Sequence, residues 1–380
     1  MSHSYISYWE HETWLKDIDI SILGSGIVGL SSAYFLKKKY PKKNIVVFER
    51  GFLPHGATTR NAGFSCFGSA TEILSDIKKN GKEKAYELVK DRFSGLNSLI
   101  QLHGPDNIGY ENLGGYEIFT NEDANVFEET KTKLDELNKD LQDVLQIKSK
   151  VYQVSDKSRS SELGLSNVVG MFFNPWEGQI QSGLLIKSLT KLCRDAGVEI
   201  FTGIEITKFE NHSSGVSLMT NNSVEIKTKE LLITTNGFAK QFVPDLDVQP
   251  ARGQVLVTSP IEGLKLLGAF HHHEGFDYFR NVGNRVLLGG GRNLDIDKEI
   301  TPQMERNDKI YEYLMRFLSE TVIPGKKFEI EFEWSGIMGV GEDKSPIIQH
   351  IQPNVMVAIR MGGMGVAIGT EVGKKVSLLL

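Results

Sequence analysis

Apolar positions along this 380-residue chain change their period several times. The run Asp19-Ile-Ser-Ile-Leu23 predicts a short buried strand, and Gly24-Ser-Gly-Ile-Val-Gly29 follows it at once. Residues 30–39 then predict a helix, and Ile45-Val-Val-Phe48 a second strand ending at Glu49, which together make one βαβ unit. From Ile73 to Ile100 the period becomes helical, with Tyr86, Val89, Phe93, Leu96 and Ile100 stepping by three and four. Leu134, Leu137, Leu141 and Val144 repeat that spacing within a highly charged stretch. Both segments predict amphipathic helices that face a core.

Strands dominate the rest. Val216–Met219 and Val224–Ile226 flank Asn221-Asn222, a hairpin signal, and Leu231-Leu-Ile233 leads into Thr234-Thr-Asn-Gly237. Phe328, Ile330, Phe332 and Trp334 alternate with Glu329, Glu331 and Glu333, which predicts a half-buried strand with its glutamates in solvent. Val355-Met-Val-Ala-Ile359 predicts a buried strand, followed by Arg360-Met-Gly-Gly-Met-Gly365 and a helix from Val366 to Leu380.

Composition narrows the class. A hydrophobic fraction of 40% with 24% charged residues and a formal charge of −5 describes a globular chain and excludes a disordered or fibrous one. The length suggests two domains or one large α/β body. No secretory-type apolar segment and no membrane-length run is present, and no Lys/Arg block points to nucleic acid. Two cysteines, Cys66 and Cys193, make neither a disulfide framework nor a zinc site. The expected setting is cytoplasmic. Glycine is in excess, 38 residues against the roughly 7% of an average chain, which implies many close backbone approaches.

The first glycine cluster has chemical meaning in its context. Gly24 permits a tight turn, Gly26 lets backbone amides approach a pyrophosphate, and Gly29 lets helix and strand pack closely. The phosphates then lie at the positive end of the helix. Glu49, 20 residues past Gly29, is placed to bind ribose hydroxyls and would repel a 2′-phosphate. This fingerprint alone does not separate FAD from NAD. An NAD-dependent dehydrogenase and a non-catalytic flavin-binding protein both remain open on it.

Two further segments decide the resemblance: Gly56-Ala-Thr-Thr-Arg-Asn-Ala-Gly63 and Met361-Gly-Gly-Met-Gly-Val366. With the βαβ unit, they resemble the D-amino-acid oxidase-like family of FAD-dependent oxidoreductases, which includes glycine oxidase, sarcosine oxidase and γ-glutamylputrescine oxidase. The likeness continues through Gly197–Ile206, Thr234–Gly237, Pro250–Gln254, Arg285–Gly291, Trp334–Gly339 and Pro346–Ile348, and is weakest over the helices at 73–150. It implies an α/β fold in which a Rossmann-like FAD-binding domain carries an inserted antiparallel-sheet substrate domain. We expect residues 1–85, 152–245 and 335–380 in the first, and 86–151 and 246–334 in the second. In that family the flavin ring lies between the two.

Carried over by motif, Gly24, Gly26, Ile27, Val28, Gly29, Glu49 and Arg50 contact the ADP half of FAD, and Ile206 holds adenine through its backbone. Thr58, Thr59, Arg60, Asn61, Ala62, Gly63 and Phe64 line the ribityl chain and ring. Thr235, Asn236, Gly237 and Gly339 are further cofactor contacts, and Gly362, Gly363, Met364, Gly365 and Val366 bind the pyrimidine edge. Non-covalent attachment is expected. Relatives that flavinylate a histidine carry it where Arg60 stands here, and no cysteine follows Cys193.

The resemblance implies oxidation of a C–N bond of an amine or amino acid by hydride transfer to flavin N5, giving an imine that hydrolyses. O2 or another acceptor takes the electrons, and no nucleic acid or membrane partner is implied. Tyr278 is the leading pocket residue because the matching strand faces the flavin in relatives, and strand alternation puts Arg280 on the same face. Arg280 and Arg292 can hold a substrate carboxylate bidentately or pair with nearby glutamates. His272 is a candidate pocket wall. Met338 stands where close relatives of D-amino-acid oxidase carry a carboxylate-binding arginine, and Val286-Leu-Leu288 lacks the oxygen-activating lysine of sarcosine oxidases, so oxidase and dehydrogenase both stay open. For His271-His-His273 no metal is expected: on a strand only the outer two share a face.

Overall fold

In the computed structural model, which describes residues 6–156 and 158–380, the first apolar run forms the strand Ile18–Leu23. The helix Ile27–Lys39 and the strand Ile45–Glu49 follow it, as the βαβ pattern predicts. The chain divides into two compact units. One runs to Arg60 and adds Ser182–Ala251 and Ile337–Leu380; the other holds Asn61–Gln181 and Arg252–Gly336. Residues 61–85 and 152–181, expected with the nucleotide-type unit, thus group with the other. Phe64–Ser65 explains part of this shift, because it pairs antiparallel with Gly178–Gln179.

The first unit is built on a sheet with the strand order Ile347–Gln352, Val355–Ile359, Glu225–Ile233, Ile18–Leu23, Ile45–Glu49 and Glu199–Thr202. The last five run parallel, and the Ile347 strand closes one edge antiparallel. Ile45–Glu49 and Val355–Ile359 are buried end to end, and Glu225–Ile233 over its last three residues, as a parallel sheet covered on both faces requires. The predicted hairpin appears as Gly215–Thr220 against Glu225–Ile233, with Ile206–His212 as a third strand. Helix Gly365–Leu379 packs on the first helix through a glycine seam. A β-carbon on Gly369 would lie 2.7 Å from Ile27 Cγ2, and one on Gly373 2.5 Å from Ser31 Cβ.

The second unit carries most of an eight-stranded sheet. Gln249–Thr258 and Arg285–Gly290, Arg285–Gly290 and Asp277–Val282, and Asp277–Val282 and Ala269–His272 pair antiparallel. So do Gly115–Thr120 and Val168–Asn174, and Val168–Asn174 and Gln153–Val154, while Ala269–His272 and Gly115–Thr120 pair parallel. Phe270, Phe279, Leu288, Leu314 and Phe317 are among the residues that fill its main core. The helical pattern at 73–100 resolves into two helices, Ala70–Asn80 and Lys82–His103, because Gly81 sits at φ +85° between them. The strand Ile330–Val340 departs from its pattern: Phe332 is 56% exposed alongside Glu331 and Glu333. It lies at the sheet edge, where alternation need not track burial. No helix among the described residues is long and apolar enough to cross a membrane.

Candidate active site

In the first unit the turn after the first strand is tight. Gly24 has φ +101° and its amide donates to Phe48 O at 2.8 Å. A β-carbon on Gly29 would come within 2.0 Å of Gly24 O, so only glycine lets the helix start this close to the strand. Thr58 Oγ1 accepts the Ile27 amide at 3.0 Å, which ties the 57–60 turn to the helix entrance. Thr59 donates to Pro54 O, and Arg60 meets His55 Nε2 at 2.9 Å.

Glu49 is 6% exposed and has no ion-pair partner among the described residues. Its carboxylate accepts from the amide and hydroxyl of Ser25, at 3.0 and 2.9 Å, and from the Gly51 amide at 3.0 Å. A carboxylate offers about four acceptor positions, so this one retains capacity for a hydroxyl donor such as a ribose. Arg50 stacks its guanidinium 4.0 Å over the Phe238 ring. Ile206 opens its strand paired with Thr220, while Ile204, two residues earlier, donates its amide to Glu49 O at 3.0 Å.

The other predicted segments of this unit are laced together. Asn236, at φ +48°, accepts the amides of Arg360 and Met361 on its side-chain oxygen at 3.1 and 3.2 Å. A β-carbon on Gly339 would lie 2.5 Å from that oxygen, and one on Gly237 2.4 Å from Met338 O. Gly362 donates to Gly339 O at 3.0 Å, and Gly362 and Gly363 take φ of +58° and +83°. Helix Gly365–Leu379 begins here with no side-chain cap, and Thr235 Oγ1 is buried without a partner. Close packing at Gly237 and Gly339, left-handed glycines at 362 and 363, an uncapped helix start and an orphaned hydroxyl fit a polar, backbone-bound cofactor.

Sequence reasoning missed the residue that holds this cradle. Arg360, at φ +64°, donates Nε to Ser345 O at 2.9 Å, Nη1 to Asp247 O at 3.0 Å and to the Asp247 carboxylate, and Nη2 to Asp343 Oδ1 at 3.1 Å. Nothing in the local pattern marks Asp247 as its partner, since the two are over a hundred residues apart.

The second unit places Tyr278 and Arg280 on one sheet face. His271 pairs with Tyr278 and Ala269 with Arg280, so the side chains of 271, 278 and 280 lie on the same side. The Phe64 ring meets Tyr278 edge-on at 5.6 Å and His271 at 5.2 Å. Tyr278 lies flat over Gly289, where a β-carbon would come within 2.5 Å of its ring. Gly63, at φ +74°, donates its amide to Asn61 Oδ1 at 2.7 Å. Ala62 packs in the small apolar cluster with Val255, Val257 and Leu287. Burial pushes the Tyr278 phenol up to about 12, so it stays a neutral hydroxyl.

Arg280 is the unusual group here. It is 7% exposed, its Nη1 donates to Gly63 O at 3.3 Å, its Nε has no partner, and no carboxylate pairs with it among the described residues. Burial pulls it down to about 10. Arg292 is likewise unpaired, stacked 5.2 Å from the Phe276 ring and lowered by burial. Neither arginine is taken by a neighbouring glutamate. His272 departs from its expected place. It faces away from Tyr278 and Arg280, stacked on Phe317 at 5.1 Å and bonded to Asp123 and Asp277. Met338 belongs to the first unit, with its sulfur 3.4 Å from where a β-carbon on Gly363 would lie.

Known proteins share this architecture and sequence pattern. A probable oxidoreductase from Haemophilus influenzae is 22% identical over 96% of this chain and 83% of its own length. An N-methyl-L-tryptophan oxidase from Yersinia pestis is 25% identical over 62% of this chain and 58% of its own. Among solved structures, L-proline dehydrogenase from P. horikoshii superposes with a TM-score of 0.75 at 17% identity, covering 96% of this chain and 93% of that one. Glycine oxidase from Bacillus cereus gives 0.71 at 17%, covering 95% and 94%. The family model described as "DAO: FAD dependent oxidoreductase" matches residues 19–379, nearly the whole chain, and the chain therefore belongs to the DAO family of FAD-dependent oxidoreductases.

Proposed function

We propose that this enzyme oxidises the C–N bond of an amine that carries a carboxylate, an amino acid or its N-alkyl derivative, and that Arg280 seats the carboxylate. The observation that carries this reading is a buried guanidinium with an unused Nε–H and, among the described residues, no carboxylate at ion-pair distance, Glu111 acting on it only from farther away. Such a cation is costly to bury alone, and an anionic substrate group offsets the cost by bidentate hydrogen bonding. Arg292, also unpaired, supplies a second positive charge beside Tyr278.

FAD, when bound, supplies the acceptor for a hydride leaving the carbon next to nitrogen. The chain positions and shields. Arg280 fixes one end of the substrate, while the protonated Tyr278 hydroxyl and the Phe64 ring orient it and exclude water. The amine reacts as its neutral form, and the imine product hydrolyses in water. Gly24 to Gly29 and Glu49 are assigned to the ADP half of the cofactor, Thr58 to Phe64 to the ribityl chain and ring region, and Gly362 to Val366 to its pyrimidine edge. Both cysteines are free and buried, which supports a cytoplasmic setting.

The test is anaerobic flavin reduction with a panel of amino acids, N-methyl amino acids and the matching decarboxylated amines. Bleaching by carboxylate-bearing members supports the assignment. Reduction by the bare amines alone, or by none of the panel, overturns it. Admitting air to the reduced protein then separates oxidase from dehydrogenase.

A further inference from the structure

Opposite the Tyr278 face of the same sheet lies a second cluster that flavin chemistry does not use. The strand Ala269–His272 ends in two left-handed residues, His273 at φ +49° and Glu274 at φ +56°. That turn brings His273 round beside His272, with ring centroids 3.7 Å apart, instead of onto the opposite face that a continuing strand would give. Non-glycine residues adopt this conformation at a cost, and here two do so in succession.

The rings are held in the same way. His272 Nδ1 and His273 Nδ1 lie 3.1 and 3.0 Å from the same oxygen, Asp277 Oδ2. Asp277 is fully buried and is itself fixed by the Tyr313 hydroxyl at 2.7 Å and the Gly291 amide at 2.9 Å. An ionised carboxylate only accepts, so it selects the Nδ1–H form of both rings. Both Nε2 atoms then present lone pairs, and both face Asp123: His272 Nε2 is 2.8 Å from Oδ2 and His273 Nε2 3.4 Å from Oδ1. Asp123 is anchored by the Thr120 hydroxyl at 2.8 Å.

With both Nδ1–H groups turned to Asp277, neither Nε2 of a neutral ring has a hydrogen to give Asp123. The 2.8 Å contact of His272 Nε2 with that carboxylate then needs one further proton or a cation between them, and His273 Nε2 lies 3.4 Å from the other oxygen, within reach of the same cation. Ligands on one tetrahedral zinc at about 2.0–2.1 Å lie about 3.3–3.4 Å apart. The 3.4 Å separation of His273 Nε2 from Asp123 matches that value, and the 2.8 Å one at His272 Nε2 must open by roughly 0.5 Å to admit the ion. The carboxylate behind both imidazoles is the outer-shell arrangement of metal-bound histidines.

We propose that His272 Nε2, His273 Nε2 and the Asp123 carboxylate form a site for one divalent transition cation of the zinc type. His272 is almost fully buried, while the His273 side chain is 32% exposed, which gives the ion an entry path and a position for water. The ion clips the 120–123 turn to the hairpin whose second strand carries Tyr278 and Arg280. Its role is structural, and its existence does not depend on the substrate assignment.

The test uses the flavoprotein expressed without a histidine tag. Metal content per flavin is measured, the protein is stripped with chelator, and Zn2+ is titrated back in competition with a chromophoric chelator. About one Zn2+ per chain is expected, with at least a 100-fold loss of affinity in His273→Gln and Asp123→Asn. Asp277→Asn should lose about 10- to 100-fold as an outer-shell change. Flavin content serves as the folding check in every variant, and Co2+ in place of Zn2+ should give visible d–d absorption. Absence of stoichiometric binding at micromolar Zn2+, or equal binding in folded His273→Gln and Asp123→Asn, overturns the site. Nitrogen NMR showing both rings doubly protonated in the presence of Zn2+ overturns it as well.

Discussion

Replacing Arg280 with methionine should separate substrate recognition from stability. The guanidinium is nearly inaccessible, keeps an unused Nε–H and has no carboxylate partner. Its depression to about 10 corresponds to a burial cost on the order of 3 kcal/mol, and the cost is present at every working pH because the group stays charged below that value. Methionine removes the cost together with one hydrogen bond to Gly63 O, worth about 1 kcal/mol. The ligand-free variant should therefore melt no lower than the parent. Toward substrate the balance reverses. Removing one partner of a buried hydrogen-bonded charge pair costs about 2–5 kcal/mol, which is about 30- to 5,000-fold in kcat/KM. Stopped-flow flavin reduction without oxygen measures this for a carboxylate substrate and for its decarboxylated amine. The first should lose the full factor and the second should change less than about threefold. Equal losses for both would show that Arg280 does not read the carboxylate, and a melting temperature well below the parent would show that the charge is not an unpaired burden.

Other consequences can be measured separately. Gly29→Ala places a carbon 2.0 Å from a backbone oxygen that cannot swing away, so we expect destabilisation of at least 1–3 kcal/mol and loss of FAD on gel filtration; a fully flavinated, equally stable variant would contradict the packing argument. Glu49→Gln turns an amide NH2 toward the donors of Ser25 and Gly51, at about 1–3 kcal/mol, and should weaken FAD retention about 10- to 100-fold by fluorescence of the released flavin. Burial raises the Glu117 carboxyl despite opposing hydrogen bonds from Thr71 and Ser69. Its contribution to stability is thus fully present below the ordinary carboxylate value and is lost as pH rises through the raised one. Urea midpoints should accordingly shift in favour of Glu117→Gln as pH rises above the ordinary carboxylate value. A gap independent of pH would refute that assignment. Cys66, fully buried with its thiol raised by burial, should resist thiol reagents until the protein unfolds.

Local pattern made much of this legible. The βαβ unit, the hairpin at 216–226 and the closing helix follow from period and turn residues alone, since each is a local demand of backbone geometry. Tyr278 and Arg280 on one face followed from strand alternation, which the register with His271 and Ala269 bears out. What escaped was non-local or conformational. Arg360 with Asp247, and His272 with Asp123, are pairs that only the folded topology brings together. His273 was misplaced because alternation assumes an extended chain, and two successive left-handed residues break that assumption. The boundary near residue 61 was displaced because a two-residue ladder with Gly178–Gln179 carries no sequence signal of its own.

The glycine seam between the Gly365–Leu379 and Ile27–Lys39 helices bears on how the protein can be made. The first unit needs residues from both ends of the described chain, since Val355–Ile359 completes a sheet begun at Ile18–Leu23. During synthesis the early βαβ segment must wait, with its Ile27 and Ser31 face uncovered, until the ribosome has delivered the closing helix. Residues 61–336 are by then already available to fold. Contacts this distant in sequence form slowly, so the nucleotide-type unit should be the last to close and the one most dependent on chaperones during that interval.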